Sequence, residues 1–298
     1  MQRTKGFRFV KTVHVESTNG IVLALHHLSD CEPGAHPVVL LSHATGFHGR
    51  CWLPVAKRLE GRFDVWAHDH RGYGDSVVPE GWTVRWEEFG EDSLAVARHL
   101  VGSVRPGPLF AAGHSMGGAT LVMAALRQPD LFRGIVAFEP IIFPQSGFRP
   151  SDLPPNPLAA ATRKRRATFA SLADAKSNFA SKPPMSAFRT DALDAYVDYG
   201  FRSSPDGVTL KCNPEHEART YETGGGHQTW DSLSSLRVPL WVVGSPEQQY
   251  QPSAIAPRIA EQVPGARFEA WDDVSHFGPM EDPDRFADYI AGLAAPTS

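Results

Sequence analysis

Cysteine is scarce in this chain of 298 residues. Cys31, Cys51 and Cys212 are an odd number, lie far apart and form no CxxC pair. Their spacing indicates neither a disulfide framework nor a zinc site, and it favours a reducing compartment. No run approaches the roughly 18 consecutive apolar residues of a membrane span, and the start, Met1 to Phe7, lacks the apolar core of a signal peptide. We therefore expect a cytoplasmic protein with no membrane partner.

An excess of charge of one sign is also lacking. The net charge is −4, from 29 basic and 33 acidic residues. Such a balance creates no field that would attract nucleic acid, so we expect no nucleic-acid partner. One basic run, Arg163 to Arg166, is predicted to be a solvated helix face. The expected partner is a small-molecule substrate; the sequence allows a homodimer and does not fix the oligomeric state.

Apolar residues, at 42% of the chain, are abundant enough for a sizeable core. In the N-terminal half, an antiparallel pair over Phe9 to Val15 and Ile21 to Leu28 is predicted to come first. Short apolar runs separated by helical patterns follow, which indicates a mostly parallel sheet of the α/β class. The further predicted strands span 37–41, 63–67, 109–113, 134–138, 238–244 and 267–271, and the predicted helices span 52–59, 86–101, 116–127, 253–262 and 283–293.

Residues 144–231 break this rhythm. Proline pairs interrupt short helical pieces there, and no buried strand is predicted. Because the strand pattern resumes afterwards, the segment is interpreted as an insertion into a single sheet. The predicted organisation is a core domain of residues 1–143 and 232–298 and a helical cap, or lid, of residues 144–231.

A serine flanked by glycines stands between a predicted strand and a predicted helix, in the segment Gly113-His114-Ser115-Met116-Gly117. A nucleophile on such a sharp turn occupies strained backbone, and the flanking glycines avoid collisions with the neighbouring strand and helix. The start of the helix adds N–H groups and partial positive charge where an oxyanion would develop. Ser115 is therefore the predicted nucleophile.

A serine hydroxyl needs a base to take its proton and an acid to orient that base. Of the 13 histidines, His276 has the most suitable position, in a loop between the last predicted strand and the last predicted helix. In a doubly wound sheet, such a loop can reach over the carboxyl ends of the strands. His276 is the predicted base.

Four segments, in this order, resemble the α/β-hydrolase superfamily over nearly the whole chain: Ser42-His43-Ala44-Thr45-Gly46-Phe47, Asp69-His70-Arg71-Gly72-Tyr73-Gly74-Asp75-Ser76, the serine turn, and His276-Phe277-Gly278-Pro279-Met280-Glu281. The resemblance implies the α/β-hydrolase fold, a mostly parallel eight-stranded sheet with helices on both faces and a helical cap after the sixth strand. It also implies an oxyanion hole built from the N–H groups of Thr45 and Met116. Ala44 stands where the family usually has glycine.

The resemblance offers two positions for the acid. Glu247 follows the strand after the insertion, and Glu139 follows the strand after the nucleophile helix. Either strand end can bring a carboxylate to the histidine. We favour Glu139, because an unpaired carboxylate directly at the end of an apolar strand would be costly to bury, and we keep Glu247 as the alternative.

These residues predict a serine hydrolase that cleaves a carboxylic ester or lactone of a small, largely apolar substrate through an acyl-enzyme, without a metal or an organic cofactor. The same nucleophile and base would also serve a carbon–carbon bond hydrolase or a cofactor-free perhydrolase. A catalytically weak, receptor-like binding protein on this scaffold is the alternative from another class. A dehalogenase is disfavoured, because the related dehalogenases have aspartate where this chain has Ser115.

Overall fold

The computed structural model describes residues 11–144, 156–224, 226–249 and 251–295. Residues 1–10, with Phe9 and Val10 of the predicted first strand, lie outside the described residues, as do residues 145–155 near the predicted start of the cap. The strands are β1 Lys11–Glu16, β2 Val22–His27, β3 Val38–Ser42, β4 Asp64–His68, β5 Leu109–His114, β6 Phe132–Phe138, β7 Thr168–Phe169, β8 Phe201–Ser204, β9 Gly207–Leu210, β10 Leu240–Gly244 and β11 Arg267–Ala270.

Eight of these strands form one sheet, in the order β1-β2-β4-β3-β5-β6-β10-β11. β1 and β2 pair antiparallel to each other, and β2 pairs antiparallel to β4. All other pairs in this sheet are parallel. The predicted mostly parallel, eight-stranded sheet is confirmed. Because β5, β6 and β10 are neighbours, the loops that follow them meet at one edge of the sheet.

Helices cover both faces of the sheet, as predicted. They are α1 Leu53–Leu59, α2 Trp86–His99, α3 Met116–Arg127, α4 Pro157–Arg163, α5 Leu172–Ala180, α6 Thr190–Gly200, α7 Pro214–Thr223, α8 Thr229–Ser232, α9 Ala256–Gln262, α10 Gly278–Glu281 and α11 Pro283–Ala294. The side chains of α2, α3 and α9 share one apolar core, and those of α1 and α11 share the other. Within the described ranges, no helix is both long and apolar enough to cross a bilayer.

The central strands are buried on both faces, which explains their continuous apolar runs. Every residue of β3, β4 and β5 is buried. Along β3, Leu40 faces the core of α2 and α3, whereas Val39 and Leu41 face the opposite core. Successive side chains of a strand point to opposite faces of the sheet, and here each face is covered by a layer of helices.

The segment between β6 and β10 contains α4 to α8 and, in addition, a small antiparallel sheet in the order β7-β9-β8. The segment is thus not purely helical. Its strands are only two to four residues long, which is too short for a two-residue period to be visible in the sequence. One local signal for a turn between two strands was available in the sequence. Pro205 and Asp206 form the turn between β8 and β9, and they precede Gly207, whose φ is +123°.

The basic run at the end of α4 is exposed at Arg163, Lys164 and Arg166, and Arg165 is partly buried. Arg163 forms ion pairs with Glu215 and Glu222 of α7. The side chain of Arg165 is only 19% exposed and pairs at 2.5 Å with Glu217, which is 5% exposed. The run is thus mostly solvated, as predicted, and it also joins α4 to α7. This second role was not predicted, because the complementary acids lie about 50 residues further along the chain.

Candidate active site

Ser115 occupies the sharp turn between β5 and α3. Its φ of 54° and ψ of −114° are strained for a residue with a side chain, and only two other described non-glycine residues have positive φ. The N–H of Ser115 donates to the carbonyl of Phe138 at 2.8 Å, which fixes the turn against the end of β6. Ser115 is 6% exposed, and its Oγ makes no hydrogen bond within the described part of the chain.

The glycines around this turn are required by close backbone approach. A Cβ at Gly113 would lie 2.5 Å from the carbonyl carbon of Gly117, and a Cβ at Gly117 would lie 2.1 Å from the carbonyl oxygen of Ser42. Neither neighbour can move without disturbing β3 or α3. The spacing seen in the sequence therefore has the steric origin that was inferred for it.

His276 contacts Glu139 through its Nδ1, which lies 2.5 Å from Oε2 of the carboxylate. The N–H of Ser245 at 2.7 Å and its Oγ at 2.6 Å both donate to Oε1 of Glu139. With Nδ1 donating to the carboxylate, Nε2 of His276 has a free lone pair. The arrangement leaves His276 able to accept a proton.

Glu139 is fully buried, with no exposed surface. Burial raises the pKa of its carboxyl group, but the hydrogen bond and charge of His276 and the two hydrogen bonds from Ser245 lower it by more, so the net pKa lies below its ordinary range. Glu139 is therefore ionised at neutral pH. Its own φ is +42°, a second strained residue beside Ser115.

The loop of His276 is fastened next to the serine turn. The Nε2 of His114 lies 2.7 Å from the backbone carbonyl of His276, and the two imidazole rings are 4.9 Å apart. Ser115, His276 and Glu139 therefore lie together at the carboxyl ends of β5 and β6. Glu247, the alternative acid, is exposed in the loop after β10.

Thr45 and Met116 meet beside Ser115. The Oγ1 of Thr45 donates to the Sδ of Met116 at 3.6 Å, and both residues are buried. Met116 is the first residue of α3, where backbone N–H groups have no partner within the helix. Ala44 has no positive φ, so its methyl group requires no strained backbone in this loop.

Aromatic side chains cover the site. Phe47 and Phe277, from the loops that carry Thr45 and His276, pack against Phe188 and Tyr196 of the segment between β6 and β10. The ring separations are 6.0 Å for Phe47 and Phe188, 5.6 Å for Phe188 and Phe277, and 5.4 Å for Phe47 and Tyr196. Phe277 also contacts the rings of His114 and His276, so the cluster lies beside the base and next to the serine turn.

A cavity of about 350 Å³ opens beside the acid and the base, and not at Ser115 itself. Glu139, His276, Ser245, Gln248 and Pro183 are among its lining residues. Ser245 is the site residue that the sequence analysis missed. The available signal was its position directly after β10, the strand that neighbours β6.

Asp69 braces the loops around the site. Its carboxylate accepts hydrogen bonds from the Nε2 of His26 at 3.0 Å and from the N–H groups of Gly49 at 2.6 Å and Asp75 at 2.7 Å. Asp75 forms ion pairs with Arg50 and Lys211. The negative charges of Asp69 and Asp75 are therefore already compensated by hydrogen bonds and ion pairs, which makes the group of His26, Asp69 and Asp75 poorly suited to hold a metal ion.

The chain belongs to the alpha/beta hydrolase family, whose sequence profile matches residues 38–289. Among curated relatives, the monoglyceride lipase of Rattus norvegicus is 33% identical over 107 residues, which are 35% of this chain and 35% of the lipase. The 2-(acetamidomethylene)succinate hydrolase of Mesorhizobium japonicum is 33% identical over 109 residues, or 36% of this chain and 37% of that protein. The matched region spans about a third of the length of these relatives.

Among solved structures, the crystal structure of an E-2-(acetamidomethylene)succinate hydrolase superposes with a TM-score of 0.75. The alignment covers 95% of this chain and 98% of that chain at 20% sequence identity. A likeness at this level of identity shows a shared fold.

Proposed function

We propose that the protein is a serine hydrolase that cleaves a carboxylic ester or lactone of a small, largely apolar substrate. The observation that carries the proposal is the convergence of a strained, glycine-flanked Ser115 with a histidine whose Nδ1 is bound by the buried, ionised Glu139. This combination supplies a nucleophile, a base and an orienting acid, which are the three parts of acyl transfer by serine.

In the proposed mechanism, Nε2 of His276 takes the proton of Ser115 as its Oγ attacks the substrate carbonyl. The N–H groups of Thr45 and Met116 stabilise the tetrahedral oxyanion. His276 then gives its proton to the leaving alcohol, and water activated by His276 releases the acid and restores Ser115. Glu139 stays ionised throughout and stabilises the imidazolium. Every proton in this cycle is carried by the protein, the substrate or water.

Among the residues that the structure describes, Oγ of Ser115 has no hydrogen-bond partner, and this is compatible with the assignment. Catalytic hydrogen bonds are often long or misaligned before substrate binds, and they tighten in the reacting complex. The aromatic cover from Phe47, Phe188 and Phe277 favours an apolar acyl or ring portion of the substrate. The monoglyceride lipase relative supports an ester as the first substrate class to examine.

The proposal is tested with a panel of p-nitrophenyl esters, lactones, amides and β-diketones, assayed on the wild type, Ser115→Ala and His276→Ala. A fluorophosphonate probe, followed by peptide mass spectrometry, locates the reactive serine. We expect ester or lactone turnover, probe attached to Ser115, and losses of at least about 1,000-fold in both variants. Turnover of β-diketones alone would favour the carbon–carbon bond hydrolase, and labelling of Ser115 without any turnover would favour a binding protein.

A further inference from the structure

A second group of reactive side chains lies at the opposite end of the sheet from Ser115. His27 ends β2, Asp64 begins β4, and Cys31 lies in the loop after β2. They offer an imidazole nitrogen, a carboxylate oxygen and a thiol sulfur, all within 4.8 Å of one another. His27 and Asp64 are buried and Cys31 is partly exposed. The proposed hydrolase reaction uses none of them.

Both partners of His27 approach the same ring nitrogen. Its Nε2 lies 2.7 Å from Oδ1 of Asp64 and 4.0 Å from Sγ of Cys31. A relay in which an acid orients a histidine that activates a thiol would use the two different ring nitrogens. Here, instead, three donor atoms surround one point, as ligands surround a metal ion. Neighbouring ligands on a tetrahedral zinc ion stand about 3.3–3.7 Å apart. The three donor atoms lie within 4.8 Å of one another, so side-chain shifts of roughly 1 Å would complete this geometry.

The surrounding residues hold the ligands in place. The second carboxylate oxygen of Asp64, Oδ2, accepts the N–H of Gly34 at 2.6 Å, which leaves Oδ1 for the cluster. The ring of His27 stacks on Trp66 with 4.5 Å between centroids. Contacts of this kind, which orient ligands from behind, are a regular feature of metal sites in proteins.

The charge around the thiol also favours a cation. Besides Asp64, the carboxyl groups of Asp30 and Glu32 stand beside Cys31 in the chain. A divalent cation bound at this place would neutralise part of this concentrated negative charge. The mixture of sulfur, nitrogen and oxygen donors suits zinc better than magnesium or calcium, which prefer oxygen ligands only.

We propose that Cys31, His27 and Asp64 bind one Zn²⁺, with water as the fourth ligand. Cys31 binds as a thiolate and releases its proton to solvent, and His27 binds through Nε2 as a neutral imidazole with its proton on Nδ1. Because Asp64 stands at the amino end of β4, the ion lies far from Ser115 and takes no part in the hydrolysis. Its effect is to tie the loop after β2 to the sheet and to stabilise the fold.

The test uses the chelator-treated, reduced full chain and Co²⁺ as a spectroscopic substitute for Zn²⁺. We expect one equivalent of Co²⁺ to produce a thiolate-to-cobalt charge-transfer band in the wild type, and an excess of Zn²⁺ to abolish it. Cys31→Ser is expected to lose the band and to weaken metal binding by at least about 10-fold. The matched control, Cys212→Ser, which removes a buried thiol elsewhere, is expected to keep the band.

A second measurement needs no variant. Zn²⁺ is expected to protect Cys31 of the wild type from iodoacetamide, as measured by peptide mass spectrometry, and to raise the melting temperature. The proposal is overturned if the wild type gives no charge-transfer band, if the band persists in Cys31→Ser, or if Cys31 is alkylated equally fast with and without Zn²⁺. None of these results depends on hydrolase activity, so the two proposals succeed or fail separately.

Discussion

Ser245→Ala removes one donor from the proposed catalytic acid and leaves the rest of the site in place. The lost hydrogen bond joins Ser245 Oγ to the buried carboxylate of Glu139 at 2.6 Å, and a hydrogen bond to a charged group contributes about 1.5–3 kcal/mol. The backbone N–H of Ser245 and the imidazole of His276 still hold Glu139. With about 1.4 kcal/mol per tenfold in rate, kcat/KM is expected to fall by about 10- to 100-fold.

The pH profile separates this positioning role from a general loss of structure. With one donor fewer, the pKa of the Glu139 carboxyl group rises, so the acid limb of kcat/KM is expected to move to higher pH. Ser245→Thr, which keeps the hydroxyl, is expected to restore both rate and profile. Ser253→Ala, a buried serine of the same cavity, serves as the control. A Ser245→Ala enzyme with the wild-type rate and acid limb would refute the reasoning.

Two further predictions concern stability. Gly117→Ala would place a Cβ 2.1 Å from the carbonyl oxygen of Ser42, whereas the Cβ of Gly118→Ala would lie 3.1 Å from its nearest neighbour. Urea unfolding is expected to show that Gly117→Ala lowers the free energy of unfolding by about 1–3 kcal/mol and that Gly118→Ala lowers it by less. Equal losses would contradict the steric account. Burial lowers the pKa of both His43 and His48 to about 4 from 6.5, so the unfolded chain binds more protons between these values. The free energy of unfolding is therefore expected to fall as pH decreases from 6.5 towards 4, by about 2 kcal/mol per histidine at pH 5. Urea unfolding at pH 7.5 and pH 5 measures this difference, and equal free energies at the two pH values would exclude the effect.

Local features of the sequence were sufficient for the serine turn. The glycines at positions 113 and 117 are required by contacts within a few residues and with β3, so their spacing identifies Ser115 and its place between strand and helix. The continuous apolar runs of β3 to β5 likewise follow from burial on both faces. Such features depend on local backbone geometry and on the periodicity of single elements.

The identity of the acid depends on contacts between distant parts of the chain. Glu139 and Glu247 follow neighbouring strands, and either strand end can bring a carboxylate near the histidine. In the fold, Ser245 donates twice to Glu139 across 106 residues of sequence, and Glu247 is exposed. The pairing of Arg165 with Glu217 is hidden from the sequence for the same reason, because no period or motif links the two residues.

The most direct test of the account compares kcat of Glu139→Gln and of the matched variant Glu247→Gln with that of the wild type, using the ester that the wild type turns over best. Glutamine keeps the shape of the side chain but removes the charge that holds Nδ1–H of His276 in place. The account predicts a loss of about 1,000- to 10,000-fold for Glu139→Gln, as for amide substitution in other serine triads, and a rate within about twofold of wild type for the exposed Glu247→Gln. Wild-type activity in Glu139→Gln, or a large loss in Glu247→Gln alone, would contradict it.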